Sequence, residues 1–251
     1  EITLNGKGIP DPLWTQAMKY GTRKKNYDED IFRHAVEMVV DYNKLTYCNS
    51  KPFKMLTEFK ALNDRTVPFL SNVDIKTSAG PYAKYFYGIM TKQEFLEITY
   101  HDEKPIYSFA HNKIGQNIRN HLKTQRSLLE NYGIPPCLIS QDNAKVENID
   151  KEKAEKGKVR LFNNVDPSIN ALLKIMFGDW FSRAMAKSSE GYYAIGQNPY
   201  TTSTEIWHRF STKQGKILNT DFKAFEKLLI SELIEAFCYI AGRLTKNDWL
   251  R

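Results

Sequence analysis

"EKGKVRLFNNVDPSINALLKIMFGDWF", Glu155 to Phe181, is the stretch on which the fold turns. Its first part sets cations around Gly157 and closes on the apolar pair Leu161 and Phe162, which reads as a short basic strand. From Asp166 the pattern changes. Ile169, Leu172, Leu173, Met176, Phe177, Trp180, Phe181 and Ala184 recur every three or four residues, the spacing that gathers side chains on one helix face. Pro167 suits the first turn of such a helix, where its missing N–H is not needed. A core helix over 166–187 is therefore expected, with Phe177 and Trp180 buried. Asp179 falls inside the same pattern and is read as structural.

Outward from this helix the chain offers three more helical segments. Between Asp28 and Leu45 a stripe of Ile31, Phe32, Ala35, Val36, Val39 and Val40 predicts an amphipathic helix. Between Gly115 and Tyr132 the apolar side is Ile118, Leu122, Leu128 and Leu129, and Gly133 with Pro135 and Pro136 ends the helix. Near the end Ile217 and Leu218 lead as a strand into Asp221. Phe225, Leu228, Leu229, Ile234, Phe237 and Ile240 then follow at helical spacing. By contrast Val67 to Gly88, "VPFLSNVDIKTSAGPYAKYFYG", mixes β-formers with a small-residue turn and reads as non-helical. These elements make an α+β fold, and with no repeat, low-complexity tract or Gly/Ser/Pro-rich linker there is no reason to cut it into independent units.

Composition narrows the function classes. With 41% hydrophobic and 13% aromatic residues the chain can bury a substantial core, which excludes wholesale disorder. A formal net charge of +7 favours an anionic partner, of which nucleic acid is the commonest for a basic globular protein. Cys48, Cys137 and Cys238 are widely separated with no paired spacing, so neither a zinc knuckle nor a disulfide framework is indicated, which fits a reducing compartment. No run of apolar residues is long enough to cross a bilayer, and the first residues lack the layout of a signal peptide, so a soluble, non-secreted chain is expected. His34, His101, His111, His121 and His208 show no metal-ligand spacing and read as surface or satisfied core residues.

Three segments could carry chemistry. The first is the basic ribbon over 145–160, where Lys145, Lys151, Lys153, Lys156, Lys158 and Arg160 alternate with acidic residues. Cations held at fixed spacing make charge-assisted bonds to phosphate, whereas a solvated charged loop is the plain alternative. The second is "DIKTSAGPY", Asp74 to Tyr82, where Thr77, Ser78, Ala79 and Gly80 offer hydroxyls, backbone N–H groups and close main-chain approach to a phosphodiester strand. The third is "LNTDFKAFEKLL", in which a carboxylate at the end of a strand, Asp221, could ligate a divalent cation or merely cap a helix. Tyr85, Phe86 and Tyr87 read as core packing, with base stacking as the other option.

Taken in order, these segments resemble the RNA-directed RNA polymerases of the picornavirus and calicivirus supergroup. The resemblance spans about Val67 to Phe237 and includes the turn "GQNPY", Gly196 to Tyr200. It implies the fingers subdomain of a right-hand polymerase over 1–215 and the first palm strand and helix over 216–251, the palm being incomplete. It further implies that Thr77, Ser78, Ala79 and Gly80 guide template RNA, and that Lys145, Lys153, Lys158 and Arg160 bind the incoming nucleoside triphosphate. Asp221 would be the catalytic, metal-binding aspartate, with Mg2+ or Mn2+ as cofactor, and Glu226 would sit near the ribose. The chain departs from the family at Ile149, where an arginine is usual, at Glu226, where an aspartate is usual, and at Pro81–Tyr82, where the order is Tyr-Pro.

The implied partners are template and product RNA, nucleoside triphosphates and the rest of palm and thumb, and the implied setting is viral replication complexes in the host cytoplasm. The later palm motifs, a Ser-Gly loop and a Gly-Asp-Asp hairpin, are not in the sequence. The chain alone is therefore expected to be inactive unless complemented. The rival reading is a non-catalytic basic RNA-binding module or a decayed polymerase fragment.

Overall fold

The structure is a computed structural model that describes residues 3–4, 9–10, 28–48, 51–63, 72–134, 136, 139–144, 148, 150–156, 161–188, 199–212 and 231–245. The two-residue strands β1 (Thr3–Leu4) and β2 (Ile9–Pro10) pair antiparallel. Helix α1 (Glu29–Asn43) begins where the Asp28 carboxylate accepts hydrogen bonds from the N–H groups of Asp30 and Ile31 at 2.9 and 3.0 Å. Glu29 and Asp30 in its first turn suit the positive end of the helix dipole. A π-helical turn, Lys44–Cys48, continues it.

Of the stripe expected on α1, Phe32, Val36 and Val40 point inward, whereas Ile31, Ala35 and Val39 are exposed. The reason is geometric: among the described residues α1 packs chiefly against one other helix, α8 (Ser231–Leu244), and one neighbour covers a narrow line of the surface. That line runs on through buried Asn43, whose side-chain amide donates to Val39 O at 2.7 Å.

Short α2 (Glu58–Leu62) is capped by Thr57 and followed by buried Asn63. The side-chain amide of Asn63 pairs with the backbone N and O of Tyr107 at 2.8 and 2.9 Å, as an added strand residue would. Helix α3 (Pro81–Tyr87) corrects the expectation that Val67 to Gly88 is non-helical throughout. Its aromatic residues are mediocre helix formers, but Pro81 opens the helix, Ala83 is fully buried, and Gly88 closes it in the left-handed conformation. Tertiary packing decided what propensity could not.

Strands β3 (Leu96–His101) and β4 (Lys104–Phe109) form a hairpin in register Leu96↔Phe109 to His101↔Lys104. Its two-residue turn holds Asp102 and Glu103 at φ 49° and 61°, the pattern of a type I′ turn. Helix α4 (Lys113–Tyr132) is capped by Asn112, which accepts from Gly115 N at 2.7 Å, and Gly133 stops it, close to the expected bounds.

Strand β5 (Ser140–Ala144), short helix α5 (Lys151–Glu155) and strand β6 (Leu161–Val165) lead to α6 (Pro167–Ala186), the core helix. Pro167 sits in its first turn as expected. Phe177 and Trp180 are buried, but Leu173 and Phe181 are exposed, because α2, α4 and the π turn cover α6 on three sides and leave a strip open. Helix α7 (Pro199–Ser211) precedes α8. The turn expected at 196–200 is thus helical from Pro199, and residues 196–198 lie outside the described ones.

The described residues share one hydrophobic core, running from Val40 and Phe53 through Ile118 and Leu122 to Ile175, Trp180 and Leu244. Trp180 lies between Phe53 and Phe237, with ring centroids at 5.8 and 5.5 Å, and its indole N–H donates to Asn43 Oδ1 at 3.0 Å. Asp179 is structural, as expected. Its carboxylate takes the Lys54 N–H at 2.9 Å and holds Arg183 at 2.8 Å.

Candidate nucleic-acid interface

The loop Asp74–Gly80 gets its shape from local hydrogen bonds. Asp74 accepts from Lys76 N through its side chain, at 3.0 Å, and from the Thr77 hydroxyl through its carbonyl, at 2.7 Å. The segment behind it pins the loop: Ala79 N donates to Met90 O at 2.9 Å and Lys92 N to Thr77 O at 3.2 Å. Lys92 Nζ also donates to the Thr77 hydroxyl. Glu94 in turn receives the N–H groups of Met90 and Thr91 at 2.9 and 3.1 Å, so the supporting segment is itself fixed.

The loop is also locked to the entrance of α6. Gly80 has φ +85°, and a Cβ there would come within 2.6 Å of Pro167 Cδ and 3.3 Å of Val165 O. Only glycine fits that backbone and that gap. Ser78 Oγ accepts from Gly80 N at 3.2 Å and from the Asn164 side-chain amide on β6 at 3.0 Å. The segments read separately in the sequence, the small-residue loop and the strand that closes the basic ribbon, are therefore in contact. Thr77 and Ser78 face solvent, whereas Ala79 and Gly80 are buried and set the path of the chain.

Lys92, which touches the loop through Thr77, is a cation that no sequence pattern singles out. It is partly buried, and burial pushes its pKa below the usual lysine value; Asp74 opposes that shift and Lys174 adds to it. Lys92 and Lys174 both line a cavity of about 320 Å³ together with Val73, Asp74, Phe95 and Pro167. No pattern in the sequence marks Lys92 or Asn164, because each acts through a partner distant along the chain.

The basic ribbon is only partly described. Strands β5 and β6 pair from Ser140↔Val165 to Ala144↔Leu161, and in the sequence Lys145 follows β5 and Arg160 precedes β6. Lys145, Lys158 and Arg160 lie outside the described residues, as do Asp221, Glu226 and Ile149. Lys153 is on α5, with its backbone alone described. Within the ribbon Lys151 faces Glu155 at 3.9 Å, and Lys156 pairs with Glu152. These exposed i,i+4 pairs leave most of the lysine surface in water.

Among the described residues no group of three or more His, Cys, Asp or Glu could hold a metal ion, and no helix is long and apolar enough to cross a membrane. His101 and His111 are exposed beside Asp102 and Glu97, whereas His121 stacks on Tyr82 with ring centroids at 4.1 Å. Burial and the Tyr87 hydroxyl push the Tyr82 phenol up to about 12. Tyr85 and Phe86, read from sequence as core packing, are instead 83% and 56% exposed; Tyr87 does pack against the core. A short helix with an alanine as its inward residue cannot bury three consecutive rings.

Comparison with known proteins gives concordant results. A family described as viral RNA-dependent RNA polymerase matches residues 11–251. The RNA1 polyprotein of Tomato ringspot virus (isolate raspberry) is 25% identical over 248 residues, covering 95% of this chain and 11% of the polyprotein. That of Arabis mosaic virus (isolate NW) is 30% identical over 100 residues, covering 39% of this chain and 4% of the polyprotein. The solved Sicinivirus 3Dpol RNA dependent RNA polymerase superposes with a TM-score of 0.66 at 16% identity, covering 92% of this chain and 44% of that one. The chain thus spans less than half the length of each relative, and the last match shows a shared polymerase fold of mixed helix and strand.

Proposed function

Because the chain belongs to the viral RNA-dependent RNA polymerase family, we propose that it forms the fingers, over 1–215, and the first palm strand and helix, over 216–251, of an enzyme that copies RNA from an RNA template in the replication of a positive-strand virus. The supporting observation is the lock between Gly80, Pro167 and Asn164, which holds the exposed hydroxyls of Thr77 and Ser78 at the entrance of the core helix. A template strand needs such a fixed edge: hydroxyls and backbone groups on phosphates set register without reading bases.

In this reading Lys145, Lys153, Lys158 and Arg160 neutralise the triphosphate, whose charge must be met by preorganised cations as the phosphoryl group transfers. Asp221 is the carboxylate assigned to the divalent cation, and Glu226 the group assigned to the ribose. Mg2+ or Mn2+, when bound, supplies the polarisation of phosphoryl oxygens that such transfer requires. The setting proposed is the host cytoplasm.

Salt-dependent binding of single-stranded RNA tests the cationic part. Replacing Lys153, Lys158 and Arg160 by Gln should weaken binding and lower the slope of log K against log salt by about 2, at ~0.7 for each phosphate of a single strand that a cation no longer neutralises. Binding that ignores both salt and these changes would remove the ribbon from the site. In a polymerase carrying the remaining palm, Asp221→Asn should abolish nucleotide incorporation and leave RNA binding nearly intact.

A further inference from the structure

Helix α3 leaves the template loop with its most apolar surface outward. Tyr85 and Phe86 are among the exposed large side chains, and they border an open groove of about 620 Å³ lined by Pro81, Lys84, Tyr85, Phe86, Ile139 and Gln141. That size falls within the ~300–1,000 Å³ of sites that take flat organic groups. The rings are not loose. Phe86 packs on Tyr82 at 4.8 Å and meets Tyr85 edge-on at 5.2 Å, while Tyr82 in turn stacks on His121 of α4. A file of rings therefore runs from half-buried His121 and Tyr82 to exposed Phe86 and Tyr85.

We propose that Tyr85 and Phe86, with Lys84, form a stacking platform for bases of single-stranded RNA next to the Thr77–Ser78 edge. The inference rests on the reading of the chain as an RNA-binding polymerase part and adds a subsite to it. Three observations favour RNA over a protein partner. Among the described residues the groove is lined by one cation and no carboxylate, and Lys84 has no acidic partner, so the surface complements a polyanion. The platform continues directly from the hydroxyl-bearing loop. Seven helical residues at ~1.5 Å each place its far end about 10 Å from Gly80, roughly three nucleotide rises at ~3.4 Å. Finally, the two exposed rings meet edge to face, and Phe86 is backed by half-buried Tyr82, so they present an ordered π surface, which every base can use whatever its sequence.

The test uses this chain, a 12-nucleotide single-stranded RNA and a ribose-phosphate 12-mer of the same charge without bases. Tyr85→Ala with Phe86→Ala should weaken the base-bearing strand about tenfold, in line with the contribution of base–aromatic stacking, and leave the abasic strand unchanged. Tyr85→Phe with Phe86→Tyr should keep wild-type binding to both, which guards against a folding artefact. Lys84→Gln should weaken both strands alike. The platform is refuted if the double alanine variant binds both strands as the wild type does, if it loses both equally, or if its loss proves to be of self-association in sedimentation. If the wild type binds neither strand, the RNA reading as a whole falls, and the platform with it. If the wild type binds in a ribbon- and salt-dependent way but ignores the loss of the rings, the platform alone falls.

Discussion

The two ends of α6 are held in different ways. Near its C-terminal end Trp180 sits between Phe53 and Phe237, its indole N–H satisfied by Asn43, and Arg183 caps the stack from 5.0 Å above Phe53. About 20 Å away along the helix, at ~1.5 Å per residue, Pro167 meets Gly80 across a gap too narrow for a methyl group. One end is secured by buried apolar area, the other by shape and a few hydrogen bonds. The contrast separates what stabilises the fold from what positions a loop: area tolerates small adjustments, whereas a shaped gap tolerates none.

If that contrast is right, Trp180→Ala should have the largest effect on stability. Loss of a buried tryptophan costs about 3–5 kcal/mol, and here the donor to buried Asn43 goes with it. For a chain of this size the melting midpoint should fall by roughly 6–20 °C. Thermal unfolding followed by circular dichroism measures it, and a fall no larger than that of a surface variant such as Phe181→Ala would undo the assignment of this end as the anchor.

Gly80→Ala comes second. The backbone there, φ +85° and ψ 163°, lies in a region that glycine alone occupies at ease, and the new methyl would press on Pro167. A cost of about 1–3 kcal/mol is expected. Its signature differs from that of Trp180→Ala, because RNA affinity should drop more than the modest loss of stability explains. Equal affinity per folded molecule would mean that the loop's path does not matter for binding.

The same contrast explains what could be read from the sequence. The core end was legible: a three-and-four repeat of Ile169, Leu172, Met176, Phe177 and Trp180 needs no partner to be seen. The loop end was legible only as a resemblance, since Thr-Ser-Ala-Gly by itself is an ordinary turn. What tied it down, Asn164 and Lys92, lies 86 and 15 residues from the side chains it touches. Helix α3 is not evident in the sequence because its four aromatic residues favour strands and its burial rests on Ala83. The outward rings of Tyr85 and Phe86 were misread for the same reason, as hydropathy does not tell which side of a short helix is covered.

Asn164→Ala should come third, a change confined to the tether. It removes one partly exposed hydrogen bond to Ser78, worth about 0.5–1.5 kcal/mol. Stability should shift by no more than that, while Ser78 gains freedom and the salt slope of RNA binding stays as in the wild type. A changed slope would show that Asn164 acts on phosphates directly rather than through Ser78.

The smallest effect should belong to His121, where loop, α3 and α4 meet. Burial against Tyr82 lowers its pKa from the ordinary 6.5, and the nearby Asp166 carboxylate only partly opposes the shift. The folded protein therefore holds the neutral imidazole at a pH where the unfolded chain already binds a proton. Between the folded value and 6.5 the unfolded state binds more protons, so stability rises with pH in that window. Above 6.5 this contribution is fully present, and it is lost as pH falls through 6.5 towards the folded value. His121→Phe keeps a ring on Tyr82 without a titrating group. Comparing melting midpoints at about pH 7.5 and pH 5.5, on either side of an ordinary histidine, the wild type should lose more than the variant does. Identical losses would mean that the Tyr82–His121 stack does not discriminate against the protonated ring, and the inward anchor of the aromatic file would then be weaker than its geometry implies.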